Sequence, residues 1–104
     1  MTPEAKYQAK LIRKLKLRFP GCEVIKNDPQ YVQGILDLTI FWGPHWAMLE
    51  VKASLSARKR PNQDYYVKQM NDMSFAAFIC PENEEEVLTA LSEAFTSRRA
   101  ACVP

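Results

Sequence analysis

The residues with the greatest chemical capacity in this chain are Asp37, Glu50 and Lys52, set in the stretch GILDLTIFWGPHWAMLEVK from Gly34 to Lys52. Two apolar runs flank a Gly43-Pro44 turn, and each carries ionisable groups where a strand would bury hydrocarbon. Side chains on a strand alternate faces, so Glu50 and Lys52 project together while Leu49 and Val51 project to the other side. A symmetric turn at Gly43-Pro44 sets Asp37 across the ladder from Glu50. Like charges so opposed cost a few tenths to about 1 kcal/mol, and more when half-buried, unless something positive lies between them. A divalent cation is the simplest remedy. Two carboxylates with backbone carbonyls and waters are the hard oxygen donors that Mg²⁺ or Mn²⁺ prefers, with positions to spare for a phosphate oxygen. The competing reading makes Asp37 a surface residue and Glu50 and Lys52 a solvated edge. It is weakened because Leu36, Leu38 and Ile40 already supply one buried face, while Ile35, Phe41 and Met48 point to cover over the acidic one.

The elements that must position these groups follow from periodicity and punctuation. Thr2-Pro3-Glu4 reads as an N-cap, a proline at the first helical position and an acid in the first turn, with Tyr7, Leu11, Leu15 and Phe19 recurring at helical spacing. The first helix is expected over Pro3 to Phe19. Pro20-Gly21 ends it, Cys22 to Lys26 is a short strand, and Asn27 to Gln30 is a turn. The hairpin follows as two strands, then the basic loop SLSARKRP, then a helix from about Pro61 to Met73 with Tyr66, Val67 and Met70 as its apolar face. Phe75 to Cys80 is apolar throughout, as in a strand covered on both faces. Glu82 to Phe95 is a third helix, with Glu84, Glu85 and Glu86 near its positive end and Val87, Leu88, Leu91 and Phe95 facing inward. The order is helix, three strands, helix, strand, helix: an α/β fold with a mixed sheet flanked by helices, its last two strands parallel across a crossover.

Composition bounds the partners. The chain has 104 residues, 47% hydrophobic and 25% charged, which is the balance of one compact domain, expected over residues 1–96 with a loose tail over 97–104. A domain of this size buries a modest core, so a homodimer is an open expectation. A net charge of +2 makes any nucleic-acid partner a matter of local clustering. Cys22, Cys80 and Cys102 are odd in number and widely spaced, which argues against a disulfide framework or structural zinc and for a reducing cytoplasm. No apolar run approaches the roughly 20 residues of a membrane span, and the N-terminal stretch lacks a signal-peptide core.

Two further polar residues fall on apolar faces. At about 100° per residue, Glu4 lies within the arc of Tyr7, Leu11 and Leu15, with Lys6, Lys10, Arg13 and Lys14 on the other side. Glu4 either turns toward the sheet or complements the helix dipole from an exposed first turn. Gln63 lies one turn before Tyr66 and Val67. A buried amide there either serves a site or satisfies backbone groups.

Together G-x-x-D, a hairpin, E-V-K and a glutamine opening the next helix resemble the PD-(D/E)XK nuclease superfamily, and within it the VRR-NUC group. The resemblance runs from Glu4 to the E-E-E-V-L helix. It departs where the family's usual proline before the aspartate is Leu36, a residue that ligates nothing. It implies a restriction-endonuclease-like core in which Asp37 and Glu50 hold Mg²⁺ or Mn²⁺ with the Val51 carbonyl, and Glu4 completes the site through a water. It further implies that Lys52 positions or activates the attacking water and offsets charge on the phosphate, and that Gln63 supports the lysine or the phosphate. The implied activity is hydrolysis of DNA phosphodiester bonds to a 5′-phosphate and a 3′-hydroxyl. A chain this small has little room for a sequence-reading module, so branched DNA is the expected substrate, with a two-fold homodimer suited to paired nicks across a Holliday junction. The alternatives are a less selective nickase or repair nuclease, and a nuclease-like module that binds nucleic acid without cutting it. Compactness suits the cytoplasm of a bacterial or phage-infected cell.

Phosphate contacts are expected from Arg58, Lys59 and Arg60, which flank the site, and from Lys10 and Lys14 on the first helix, although a lysine-rich helix face is as readily a solvated surface. Trp42, His45 and Trp46 at the hairpin tip leave three readings open: stacking on bases, a dimer contact, or core packing. His45 lies at the far end of the hairpin from Asp37 and Glu50, which argues against a metal-ligand role.

Overall fold

A computed structural model of the chain describes residues 1–96. The expected loose tail at 97–104, and Cys102 with it, lies outside the described residues. The first helix, α1 (Pro3–Arg18), starts where Thr2 Oγ1 accepts the Ala5 N–H at 3.1 Å, with Pro3 in the first turn. Strand β1 (Glu23–Lys26) leads through a loop to β2 (Leu38–Trp42) and β3 (His45–Val51). Helix α2 (Gln63–Met73) crosses to β4 (Phe75–Ile79), and a 3₁₀ turn (Pro81–Asn83) precedes α3 (Glu84–Thr96). Several expected bounds shift by one to two residues, with Phe19 capping α1 and Cys80 lying beyond β4. Cys22 stands before β1, Pro61 and Asn62 before α2, and Pro81–Asn83 form a separate turn ahead of α3.

The four strands lie in the order β1-β2-β3-β4, with the first two pairings antiparallel and β3 parallel to β4. The β2–β3 register runs from Leu38↔Leu49 to Trp42↔His45, as the symmetric turn required. Gly43 has φ +60° and Pro44 the negative φ of its ring, which suits a two-residue turn with positive φ at its first position only.

Leu38, Ile40, Ala47, Leu49, Val51 and Ile79 form one sheet face, packed against Leu11, Leu15 and Phe19 of the first helical segment and Val87, Leu88, Leu91 and Phe95 of α3. Leu49 is fully buried there. Leu49→Ala is expected to cost about 2–5 kcal/mol, read as a lower urea midpoint at unchanged slope. The two helices are also tied by Glu84, which accepts from Tyr7 Oη at 2.8 Å and Lys14 Nζ at 2.7 Å. Burial opposes the Glu84 charge, yet those two donors outweigh it and hold the carboxyl below its usual range. Lys14, expected on a DNA-facing surface, is thus engaged within the fold.

Helix α2 packs on the other face, against β3 and β4. It leaves the β1–β2 side of that face open, where Ile25 and Phe41 are exposed. The expected cover over Phe41 is therefore missing, because α2 sits over the opposite half of the sheet. The last strand is likewise only partly covered: Phe75, Ala77 and Phe78 are half-buried. Trp42 and His45 resolve into packing. Trp42 sits edge-on to Phe19 with ring centres 5.1 Å apart and donates from Nε1 to the Pro20 carbonyl, while His45 stacks on Phe95 at 5.9 Å. Trp46 is half-buried opposite Phe41.

Candidate active site

The hairpin register brings Asp37 and Glu50 together one step beyond the last β2 pairing. Asp37 N–H donates to Glu50 Oε1 at 3.1 Å, and Val51 N–H donates to Asp37 Oδ2 at 2.9 Å. Each carboxylate therefore grips the other strand's backbone. Asn27 holds the same point from β1's end: its N–H donates to the Asp37 carbonyl, its Nδ2 to the Leu36 carbonyl, and its Oδ1 accepts from Thr39 Oγ1. In the sequence Asn27 reads only as turn punctuation, and the Asn-Asp-Pro cluster is its one signal.

Glu50 is 2% exposed. Its second oxygen, Oε2, accepts from Gln63 Nε2 at 2.6 Å and stands 3.7 Å from Lys52 Nζ. Burial, and next the Asp37 charge, push its pKa from 4.5 to about 8 against the pull of Lys52, with Glu4 adding to the rise. Glu4 is half-buried on the first turn of α1, so its charge reaches the site. Among the described residues no three His, Cys, Asp or Glu side chains gather as a direct ligand set. Asp37 and Glu50 are the paired side chains that could ligate a cation directly. Val51 turns its side chain into the core, so it can offer a ligand only from its backbone.

Lys52 follows β3 and continues its pairing, its N–H donating to the Ile79 carbonyl at 2.9 Å. Its side chain is buried, with Nζ donating to the Arg58 carbonyl at 3.1 Å. The loop after the strand thus serves the lysine through backbone. Gln63, 3% exposed, has its amide orientation fixed: Oε1 accepts from Arg60 N–H at 2.8 Å, which turns Nε2 onto Glu50. Of the two expected roles for Gln63, support of the lysine or of a phosphate, the geometry adds a third, orientation of Glu50.

The three loop cations part ways. Lys59 Nζ pairs with Asp64 at 3.1 Å and lies 4.3 Å over the Phe78 ring. Arg60 lines a cavity of about 230 Å³ that also touches Asp37 and Gln63. Arg58 offers its carbonyl to Lys52, and Lys10 is exposed on α1.

Gly34 closes the site's outer wall. It has φ +90°, and a Cβ there would stand 2.6 Å from Asn62 Cβ. Asn62 itself has φ +71° and precedes Gln63. Gly34→Ala is expected to lose about 1–3 kcal/mol of stability through strain and overpacking, seen as a lower melting temperature. Because α2's first turn must move, Gln63 loses its seat on Glu50.

The donor set suits a hard divalent cation: two opposed carboxyl groups, one of them with its pKa raised by burial first and by its neighbour's charge second, so that a cation there would compensate both, beside Lys52 Nζ at 3.7 Å. Asp37 Oδ1 takes no hydrogen bond within the described residues, and Asp37 borders the cavity. No helix in the described residues is long and apolar enough to cross a membrane. No family model matches the chain, and no curated protein and no solved structure matches it either.

Proposed function

We propose that the chain is a Mg²⁺- or Mn²⁺-dependent endonuclease with a restriction-endonuclease-like core, akin to the VRR-NUC group, that hydrolyses phosphodiester bonds in branched DNA. The observation that carries this reading is Glu50. It is a carboxylate on a covered sheet face, opposed to Asp37, oriented by Gln63 and flanked by Lys52 Nζ at 3.7 Å. Retaining that many polar groups in a buried position costs stability, which a binding surface would not require.

When bound between Asp37 and Glu50, the cation supplies Lewis-acid polarisation of the phosphoryl oxygen and a lowered pKa for a coordinated water. The chain's own groups do the rest. Glu50 and Asp37 fix the position at which the scissile phosphate docks. Lys52 Nζ, anchored on the Arg58 carbonyl, places positive charge where the pentacovalent phosphate gathers negative charge. Gln63 keeps Glu50 from rotating, and Arg60 at the cavity rim meets a flanking phosphate. Two such sites related by a two-fold axis would nick a four-way junction symmetrically.

The test is incubation of the chain with labelled four-way junction, flap, duplex and single strand in Mg²⁺, Mn²⁺ or chelator, with its mass in solution measured in parallel. Metal-dependent cutting favouring the branched DNAs, by a species of dimeric mass, is the expected result. Failure to cut any of them with either metal sinks the reading.

A further inference from the structure

The cavity beside Asp37 has a wall that the catalytic reading leaves unused. This wall is the loop after β1. Asp28 fixes it, with Oδ1 accepting from Gln30 N–H at 2.9 Å and its carbonyl from Tyr31 N–H at 3.2 Å. At its far end Gly34 rests against Asn62 with no room for a side chain. The wall is thus preformed, held at both ends by contacts that exist without any ligand.

We infer that this cavity receives the base of one unpaired nucleotide next to the scissile phosphate, so that among branched DNAs the preferred substrate has a base released from its pair at the cut. The inference rests on the nuclease reading for the position of that phosphate. Its own support is the shape and chemistry of the pocket. At about 230 Å³ it falls below the roughly 300–1,000 Å³ of drug-sized clefts, large enough for one flat ring system and too small for a stacked pair. Ile35 and Pro61 give it apolar walls, Gln33 offers an amide for a base edge, and Arg60 offers a cation for the nucleotide's own phosphate. A base can enter only if it has left its pair and its stack. The same loop holds Tyr31 88% exposed on the turn fixed by Asp28. An aromatic ring exposed on a fixed turn is a stacking platform for the next base of an open strand.

The test uses two nicked duplexes in chelator, each with one unpaired nucleotide at the nick, carrying 2-aminopurine in one and no base in the other. The 2-aminopurine DNA is expected to bind about tenfold more tightly, with a change in its fluorescence on binding. Gln33→Trp, which fills the cavity from an exposed position, is expected to erase the difference, and Tyr31→Ala to reduce affinity for both DNAs. Equal affinity of the parent protein for the two DNAs overturns the inference, as does a preference untouched by Gln33→Trp. If both DNAs are cut in Mg²⁺ yet bound equally, the nuclease reading stands without the pocket. Base-dependent binding with no cutting of these or the branched DNAs in Mg²⁺ leaves the pocket and removes the nuclease reading, and binding to neither DNA overturns the pocket.

Discussion

Glu50→Ala and Lys52→Ala are each expected to lower Mg²⁺-dependent cleavage by a factor of about 10² to 10³ or more, the scale on which a single fixed transition-state group acts. The two losses arise differently. On the proposed mechanism, removing Glu50 would take away a cation ligand, and it leaves Gln63 Nε2 and the Asp37 N–H without an acceptor. Removing Lys52 leaves Glu50 and Asp37 able to hold the ion but unbalances the buried charge and strips the phosphate of its ammonium. Cation binding should therefore survive in Lys52→Ala and fail in Glu50→Ala, as measured by calorimetric titration with Mn²⁺. The double variant should be little worse than either alone, because residues acting as one unit are not additive. Parent-level cutting by both single variants would show that the catalytic centre lies elsewhere.

The stabilisation that Mg²⁺ confers is expected to grow with pH up to about 8 and then level off. Folding raises the Glu50 pKa from 4.5 to about 8, through burial first and the Asp37 charge second. Between those values the metal-free folded chain keeps a proton that the unfolded chain has released, so this group's effect is to lower stability as pH rises through the window. A cation must displace the same proton, so its apparent affinity should rise about tenfold per pH unit below that pKa. At 100 times the dissociation constant the ion adds about 2.7 kcal/mol, which in a domain of this size moves the melting temperature by many degrees. Melting curves with Mg²⁺ and with chelator at pH 6 and pH 9 check this. Equal shifts at both would remove Glu50 from the ion's ligand set, and Glu50→Gln should show no such slope.

Much of the site was readable because its logic is local. The two-residue strand period and the Gly43-Pro44 turn dictate the Leu38↔Leu49 to Trp42↔His45 register, and that register brings Asp37 to Glu50. What sequence could not choose depended on how the chain closes, locally at one loop and between distant elements elsewhere. Gln63 was legible as a polar residue on a buried face, but its preference for Glu50 is decided by Arg60 N–H, a feature of how the loop closes. Lys14 reads as one more cation on a basic helix until Glu84, 70 residues on, is folded against it. Trp42 and His45 were ambiguous for the same reason, since Phe95 supplies the ring that they pack on. The strand covers were overestimated because an apolar run does not say which half of a sheet a single helix will shield.

The short turn of the hairpin has a consequence for the order in which the molecule assembles. Asp37 and Glu50 are separated by only 13 residues, and closing so small a loop is entropically cheap and fast. The two acids therefore meet while still surrounded by water, where their repulsion is weak. They are dehydrated only when α2 seats Gln63, which lies the same 13 residues from Glu50 but on a helix that must itself pack across the sheet. If the hairpin forms first, the penalty of enclosing them falls late, after the rate-setting barrier. An ion captured between them would then act on the escape from the native state, slowing unfolding while leaving the speed of folding nearly unchanged.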